Sequence, residues 1–376
     1  MELDLSVVIV SYNAVDFLRI CLHSVFAACH NLKAEVFVVD NNSADNSAEM
    51  VSQEFPQCHL IANKHNPGFS IANNQAIQIA QGKYILVLNP DTILAEDTLE
   101  KTLSFLNKNQ NIGGLGIRMI DGTGQFLPES KRGLPTPWAS FCKMSGLSSI
   151  FHKSKIFNQY HKGYIDSNSN AITEVLSGAF MCLKKAALEK TGLFDEDFFM
   201  YGEDIDLSYR LIKAGYDNFY FAESSIIHFK GESTNKDKIY RDRFYKAMVQ
   251  FAQKHFSKSY GFVFSLLINT GINIIKFSSA VHRDKPTPRA GILNYYSIDS
   301  PINIENNIKT TPITEEGLAD VTNGIIVFPI QKITYKKMIR IMTKYGPKFR
   351  YRFWLDEKKT LMGSDKKYHK GDVQHY

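Results

Sequence analysis

The residues best suited to chemistry crowd into one stretch, Thr173–Tyr216. It runs from an apolar, glycine-bearing strand-like piece (Val175–Leu183) through a short helix-like piece into an acidic, aromatic loop (Leu193–Tyr201). Gly202-Glu203-Asp204-Ile205-Asp206 then opens a second helix. Ionised carboxylates are acceptor-only groups that take protons and donors. Gathered where a loop enters a helix, they make a poor core and a good site, the plain alternative being a capped acidic helix start. Further polar clusters stand at Ser11-Tyr12-Asn13, Asp40-Asn41-Asn42-Ser43, Asn63 with Asn66-Pro67-Gly68-Phe69, and Asn89-Pro90-Asp91. A lone histidine, His228, follows the apolar run Ser225–Ile227.

The elements that must position these residues follow from periodicity. Leu5–Val10, Glu35–Val39, His59–Ala62 and Tyr84–Leu88 are short apolar, β-branched runs that read as buried strands. Helical spacing separates them at Val15–Ala28, Ser47–Glu54 and Ser70–Ala80, and returns at Ala95–Asn107. Strand and helix alternating at this interval predict an α/β fold with a doubly wound, mostly parallel sheet. Ligands of such sheets bind outside the carboxyl ends of the strands. Each of the four polar strand ends is equally well a loop or cap by itself; together they read as one binding rim. No GxGxxG follows the first strand and no GxxxxGK[ST] occurs, so neither a dinucleotide site nor a P-loop is supported. Pro128–Tyr164, irregular and rich in prolines, basic residues and aromatics, is either an excursion lining an acceptor cleft or a plain surface insertion.

The 376 residues suffice for one large domain or two ordinary ones. A composition of 44% hydrophobic and 22% charged residues is that of a globular protein. The net charge of +6 argues against a nucleic-acid partner and allows contact with an anionic membrane or a phosphorylated ligand. Cys21, Cys29, Cys58, Cys142 and Cys182 are widely spaced without a CxxC pair, as in a reduced cytoplasmic protein. No secretory leader and no run of 18 apolar residues is found.

Beyond a helix at Asp242–His255, Gly261–Phe277 has an apolar face (Phe264, Leu267, Ile268, Gly271, Ile272, Ile275) with basic residues on its flanks. It reads either as an interfacial helix, making a peripheral contact with the cytoplasmic face of a membrane, or as a helix packed on the catalytic domain or in a homo-oligomer. After the linker-like Asp284–Pro288, a β-α-β unit is expected from Gly324–Phe328, Thr334–Tyr345 and Phe349–Leu355. The expected division is a catalytic domain over 1–235, a helical region over 236–283 and a small α/β module of unassigned role over 284–376.

In order and spacing, VVIVSYN (Val7–Asn13), VVDNNS (Val38–Ser43), NPGFSIANNQAI (Asn66–Ile77), LNPDT (Leu88–Thr92), the SGAFMCLKK strand, FFMYGEDIDLSYRLIKAGY and IIHFKGES (Ile226–Ser233) resemble the inverting glycosyltransferases of family 2, with the GT-A fold. The likeness is to their bacterial rhamnosyltransferase-like branch and covers about residues 4–255. It implies a nucleotide-sugar site in which Asp40 accepts from the N3–H of uracil or thymine. Ser11, Tyr12 and Asn13 would close the base, and Asn63, Asn66, Gly68, Phe69 and Asn73 would pack the nucleotide. Asn89-Pro90-Asp91 stands where the family has DxD. The resemblance therefore implies Mg²⁺ or Mn²⁺ on Asp91, with one carboxylate fewer than usual and His228 as a second ligand. For His228 a structural hydrogen bond is the alternative, and Lys230 is an alternative partner for phosphate. Asp204 matches the family's base, Glu203 its helper at the acceptor, and Ser177-Gly178-Ala179 the place where sugar and acceptor meet. Asp206 is expected to cap its helix or bind Arg210.

The resulting expectation is a metal-dependent transferase acting on a UDP- or dTDP-sugar donor and a hydroxyl of a glycan, lipid-linked in all expectation, for surface polysaccharide. A non-catalytic scaffold in a polysaccharide-assembly complex is the rival reading, opposed by the intact Asp40, Asp91, Asp204 and His228. A nucleotidyltransferase would need a glycine-rich basic loop after the first strand, and Ser11–Val15 has none.

Overall fold

The structure, a computed structural model, describes residues 3–231, 238–256, 294–299, 301–304, 308–365 and 371–376. The expected amphipathic helix 261–277 lies outside the described residues. The chain runs β1 (Leu3–Ser11), α1 (Val15–Ala28), β2 (Ala34–Asp40), α2 (Ser47–Glu54), β3 (His59–Ala62), α3 (Phe69–Ile77), β4 (Gly82–Leu88), β5 (Thr92–Ile93), α4 (Thr98–Lys108) and β6 (Ile112–Ile120). An excursion with α5 (Pro137–Met144) and α6 (Leu147–Ile150) leads to β7 (Ala171–Thr173), β8 (Phe180–Lys184), α7 (Lys185–Thr191), α8 (Glu203–Lys213), β9 (Asp217–His228) and α9 (Lys238–His255).

The main sheet has the order β3-β2-β1-β4-β8-β6-β9-β5, with β7 paired to β9. Strands β1 to β4 pair in parallel, and β8 enters antiparallel between β4 and β6. Val7, Val8 and Ile9 are fully buried because helices cover both faces of this half, which is why the sequence shows a continuous apolar run and no alternation. This parallel half, joined to a mixed half by one antiparallel strand, is the GT-A architecture.

The run Val175–Leu183 is not one strand. The ladder holds only Phe180–Lys184, and before it the Phe180 amide turns back to donate to Ser177 O at 3.0 Å. The small residues Ser177-Gly178-Ala179 make the bend, which leaves Ser177 and Gly178 half-buried at the site while Ala179 packs into the core.

A second, six-stranded sheet has the order β13-β10-β14-β15-β16-β17. It comprises β10 (Tyr295–Ile298), β13 (Thr311–Ile313), β14 (Ile325–Pro329), β15 (Arg350–Leu355), β16 (Thr360–Gly363) and β17 (Asp372–His375), after a small hairpin of β11 (Asn303–Ile304) and β12 (Ile308–Lys309). The β14–β15 pair is parallel and is bridged by α10 (Tyr335–Tyr345), a β-α-β unit. Its apolar face shares one buried cluster with Phe17 and Ile20 of α1, Ile93 of β5, and Ile227 and Phe229 at the end of β9. Across this contact Glu96 accepts the first backbone amides of α10, from Tyr335 at 2.7 Å and Lys336 at 3.0 Å. Those amides have no partner within the helix, and a carboxylate there also meets the positive end of the dipole. Among the described residues, no helix is long and apolar enough to cross a membrane.

Candidate functional site

Three groups of side chains meet along the carboxyl ends of β1, β2, β4 and β9. The first lies on the β1–β2–β3 rim. Asp40 is buried, and its carboxylate is already engaged by its own loop: Ser43 Oγ donates to Oδ1 at 2.6 Å and the Ser43 amide to Oδ2 at 2.9 Å. Asn13 holds the same loop, accepting from the Ala44 amide at 2.7 Å, while its own amide donates to Ser43 Oγ at 2.9 Å. Tyr12 is exposed beside it, and Ser11 Oγ is buried with no partner.

Asn41 ties this rim to the next loop. Its amide donates to Gly68 O at 3.2 Å and Asn66 Oδ1 at 3.3 Å, and its oxygen accepts from Asn63 Nδ2 at 2.9 Å. Gly68 has φ +96, and a Cβ there would stand 2.6 Å from Phe199 O, so the loop needs glycine on two counts. The Phe69 amide donates to Phe199 O at 2.9 Å, and Ser70 Oγ to Phe198 O at 2.7 Å. The start of α3 is thereby fixed to the loop that leads into α8. Asn73 donates to Phe69 O at 2.8 Å and leaves a buried oxygen without a partner.

The second group is made by a strand pairing. β5 lies antiparallel to β9 with Thr92 opposite His228, which brings Asp91 and His228 together from 137 positions apart in the chain. His228 Nε2 is 3.3 Å from Asp91 Oδ1 and 3.3 Å from Asn89 Nδ2, and its buried Nδ1 has no partner. The Lys230 amide donates to Asp91 Oδ2 at 3.0 Å, and Lys230 Nζ pairs with Glu129. Burial opposes charge on Asp91, but the His228 imidazole and the backbone donors outweigh it and hold the carboxyl below its usual range. A buried carboxylate and an imidazole, the imidazole with an unpartnered Nδ1, suit a divalent cation that keeps other oxygens as ligands. Among the described residues, no cluster of three or more His, Cys, Asp and Glu could hold a metal by itself.

The third group is the acidic helix start. Arg132 Nη2 donates to Asp204 Oδ2 and, at 2.9 Å, to Leu176 O. Both side chains of the ion pair are largely buried. The Gly178 amide lies 3.4 Å from the same Asp204 oxygen, and a Cβ on Gly178 would sit 3.4 Å from the Phe69 ring. The small residue therefore keeps the space between α3 and α8 open. Glu203 is buried with Oε2 unpartnered; burial first, and then the Asp204 charge, push its carboxyl up to about 8. Asp206 is set apart from this chemistry. It is fully buried and takes Arg210 Nε at 2.7 Å, His255 Nε2 at 2.6 Å and Lys254 Nζ at 2.8 Å, which ties α9 to the start of α8. The second and third groups touch through the backbone, where the Asn89 amide donates to Ala179 O at 3.1 Å.

Sequence reasoning singles out the carboxylates and strand ends but not Arg132, and it places Tyr160 and Asn41 only as members of longer stretches, without a role of their own. Arg132 and Tyr160 belong to the irregular excursion, where basic and aromatic residues stand among others that carry no such contacts. Tyr160 is buried against Arg132 and Lys143, whose charges overcome the effect of burial and lower its phenol from the usual range. Asn41 stood in full view within VVDNNS, but nothing in a row of polar residues marks the one that bridges two loops.

A parallel half-sheet with acid and imidazole at its strand ends, facing an acidic helix start, is built on the GT-A fold. Residues 6–177, a little under half of the chain, match the model for "Glycosyl transferase family 2". An N-acetylglucosaminyl-diphospho-decaprenol L-rhamnosyltransferase of Mycobacterium tuberculosis is 27% identical over 244 residues, 62% of this chain and 78% of that protein. The low-salt glycan biosynthesis hexosyltransferase Agl10 of Haloferax volcanii is 26% identical over 55% of this chain and 61% of its own length. The putative teichuronic acid biosynthesis glycosyltransferase TuaG of Bacillus subtilis is 32% identical over 31% and 49%. Among solved structures, the mannosyltransferase PcManGT from Pyrobaculum calidifontis, in complex with GDP-Man and Mn²⁺, has a TM-score of 0.47 at 16% identity, covering 75% of this chain and 77% of that one. The chain is a glycosyltransferase of glycan biosynthesis.

Proposed function

We propose that the protein transfers a sugar from a UDP- or dTDP-sugar to a hydroxyl of a lipid-linked glycan, by inverting direct displacement with Asp204 as base. The observation that carries this reading is the short backbone path, Asn89 amide to Ala179 O and Gly178 amide to Asp204, between an acid–imidazole corner and a buried carboxylate pair. Inversion needs leaving diphosphate and base on opposite sides of one sugar carbon, and two such corners separated by small residues suit that demand.

In this reading Asp40 and Ser11–Asn13 hold the base, and Asn63, Asn66, Gly68, Phe69 and Asn73 hold the nucleotide. Asp91 and His228, beside Asn89, would hold Mg²⁺ or Mn²⁺, which when bound offsets the charge that builds on the leaving diphosphate. Arg132 occupies Asp204 Oδ2 and fixes the carboxylate. Among the described residues nothing hydrogen-bonds Oδ1, which is the oxygen left to take the acceptor proton. Glu203, protonated near neutral pH, adds no second negative charge beside the base. The expected partner list is a sugar nucleotide and a lipid-linked acceptor, with no nucleic acid; the acceptor reading is supported by the decaprenol-linked substrate in the mycobacterial relative's name.

The test is release of nucleoside diphosphate from a panel of UDP-, dTDP- and GDP-sugars with prenyl-diphosphate-linked acceptors. Acceptor-dependent turnover that disappears in Asp204→Asn supports the reading. Equal turnover by wild type and Asp204→Asn would overturn the assignment of the base.

A further inference from the structure

The excursion between β6 and β7 carries a surface that the transfer reaction does not use. Of the large hydrophobic side chains exposed in the described residues, Trp138, Phe141, Ile150, Phe151 and Ile156 lie within nineteen consecutive positions. They form one patch. Trp138 stacks on Phe141 at 5.8 Å between ring centroids and meets Phe157 at 6.0 Å, while Phe157 meets Phe151 at 4.9 Å. The exposure is built in, since Ala139 and Cys142 of the same helix are buried and seat α5 with Trp138 and Phe141 at its solvent edge. Thr136 caps α5 by accepting from the Ala139 amide at 3.2 Å, so the helix itself is well terminated. The indole nitrogen of Trp138 donates to Ile156 O at 2.9 Å, which satisfies its polar atom and leaves the ring as apolar surface.

The charge within this segment has a single sign. Between Glu129 and Asp166 the chain has no acidic residue and six basic ones, Lys131, Arg132, Lys143, Lys153, Lys155 and Lys162. Three are turned inward: Lys131 onto the Lys162 and Ile165 carbonyls, Arg132 onto Asp204, and Lys162 onto Glu174. Lys153 and Lys155 remain exposed beside Phe151 and Ile156. Exposed aromatic and branched aliphatic residues flanked by lysines, with no acids among them, match the interface of an anionic bilayer. A second copy of the chain fits poorly, because the same basic surface would face itself.

We propose that residues 137–156 dock the protein on the surface of an anionic membrane, Trp138, Phe141, Ile150, Phe151 and Ile156 entering the interface and Lys153 and Lys155 meeting the lipid headgroups. Arg132 and Tyr160 bracket the docked segment; Arg132 pairs with the Asp204 carboxylate and Tyr160 hydrogen-bonds Arg132, so docking would present the acidic helix start to whatever is anchored in that bilayer. That last clause rests on the proposed transfer to a lipid-linked acceptor; the docking does not, and it is measured without donor or acceptor.

The chain has two tryptophans, Trp138 at 43% exposure and Trp354 at 1%, so its own fluorescence separates this surface from the rest of the molecule. The full chain is mixed with phosphatidylcholine vesicles, either pure or containing about 30% phosphatidylglycerol, and followed by sedimentation and tryptophan emission. Expected are binding to the anionic vesicles only, weakening as salt rises above about 0.1 M, and a blue shift retained in Trp354→Phe and lost in Trp138→Phe. The pairs Phe141→Ser with Phe151→Ser, and Lys153→Glu with Lys155→Glu, should each weaken partitioning at least about tenfold with unchanged circular dichroism. No sedimentation with anionic vesicles overturns the proposal. So does sedimentation without a shift at Trp138, which would put the membrane contact elsewhere in the chain. Undiminished binding by both paired variants, or their loss only of an acidic protein partner, overturns it as well.

Discussion

Arg132 and Asp204 form a largely buried ion pair at the start of α8, and the carboxylate oxygen that Arg132 takes is the one facing the Gly178 amide. The arginine comes from an irregular excursion and the aspartate from the first turn of a helix. The pair therefore fixes the direction in which the second carboxylate oxygen points. Asp204→Asn should reduce transfer by about 10² to 10⁴-fold, the usual contribution of a positioned base. Arg132→Ala should reduce it too, but chiefly by loosening Asp204. It should also destabilise the protein by about 3–5 kcal/mol, because it strands a buried charge. The double variant Arg132→Ala, Asp204→Ala should then melt above Arg132→Ala while staying inactive. Thermal melts and turnover of the three variants check this, and a double variant no more stable than Arg132→Ala would show that charge is not the reason.

At the other corner, Asp91 and His228 are the two groups of this kind that the described residues bring together. A cation held there would bind chiefly with the diphosphate, so free enzyme should show weak metal affinity and the donor complex a tighter one. Chelation should remove activity, and added Mn²⁺ or Mg²⁺ should restore it. His228→Ala should raise the metal concentration needed for half-maximal turnover by at least about tenfold, with a smaller effect at saturating metal. Activity indifferent to a chelator would sink the metal-dependent reading.

Glu203 makes stability depend on pH. Its carboxyl is pushed up to about 8 in the folded chain from an ordinary value of 4.5. Between those values the folded state holds a proton that the unfolded chain releases, so stability is present at low pH and is lost as pH rises through 8. The slope approaches about 1.4 kcal/mol per pH unit in that window. Glu203→Gln, a neutral isostere, should flatten it. Melting temperatures from pH 5.5 to 8.5 test this: a wild type and variant falling in parallel would assign the slope to other groups.

How much of this could be read beforehand depended on whether the information was local. Helices α1 and α2 and strand β3 have the bounds that spacing alone implies, since each has its own amphipathic pattern or bounded apolar run. The polar strand ends were visible because parallel sheets put them on one rim by construction. The bend at Ser177-Gly178-Ala179 was not visible, because a small-residue bend inside an apolar run looks like strand until its partner strand is known. Arg132 was not visible either; its role exists only because Leu176 and Asp204 come to it across 44 and 72 positions. His228 could be suspected, but what sets its place is the pairing of a two-residue strand with the end of β9.

The C-terminal sheet is built onto that same end of β9. Phe229, next to His228, is fully buried with its ring 4.9 Å from Phe17 of α1 and 5.4 Å from Phe353 of β15. One side chain thus ties the strand that carries His228 to both helix α1 and the second sheet. Phe353→Ala should cost about 3–5 kcal/mol, as large-to-small changes in a packed core do, and it should do so in a single unfolding transition for the whole chain. Loss of the Glu96 cap on α10 in Glu96→Ala should act in the same direction by about 0.5–2 kcal/mol. If calorimetry instead gave two separate transitions, with Phe353→Ala moving only one, the second sheet would be an independent unit, and its packing against Phe229 would do little to hold His228 in place.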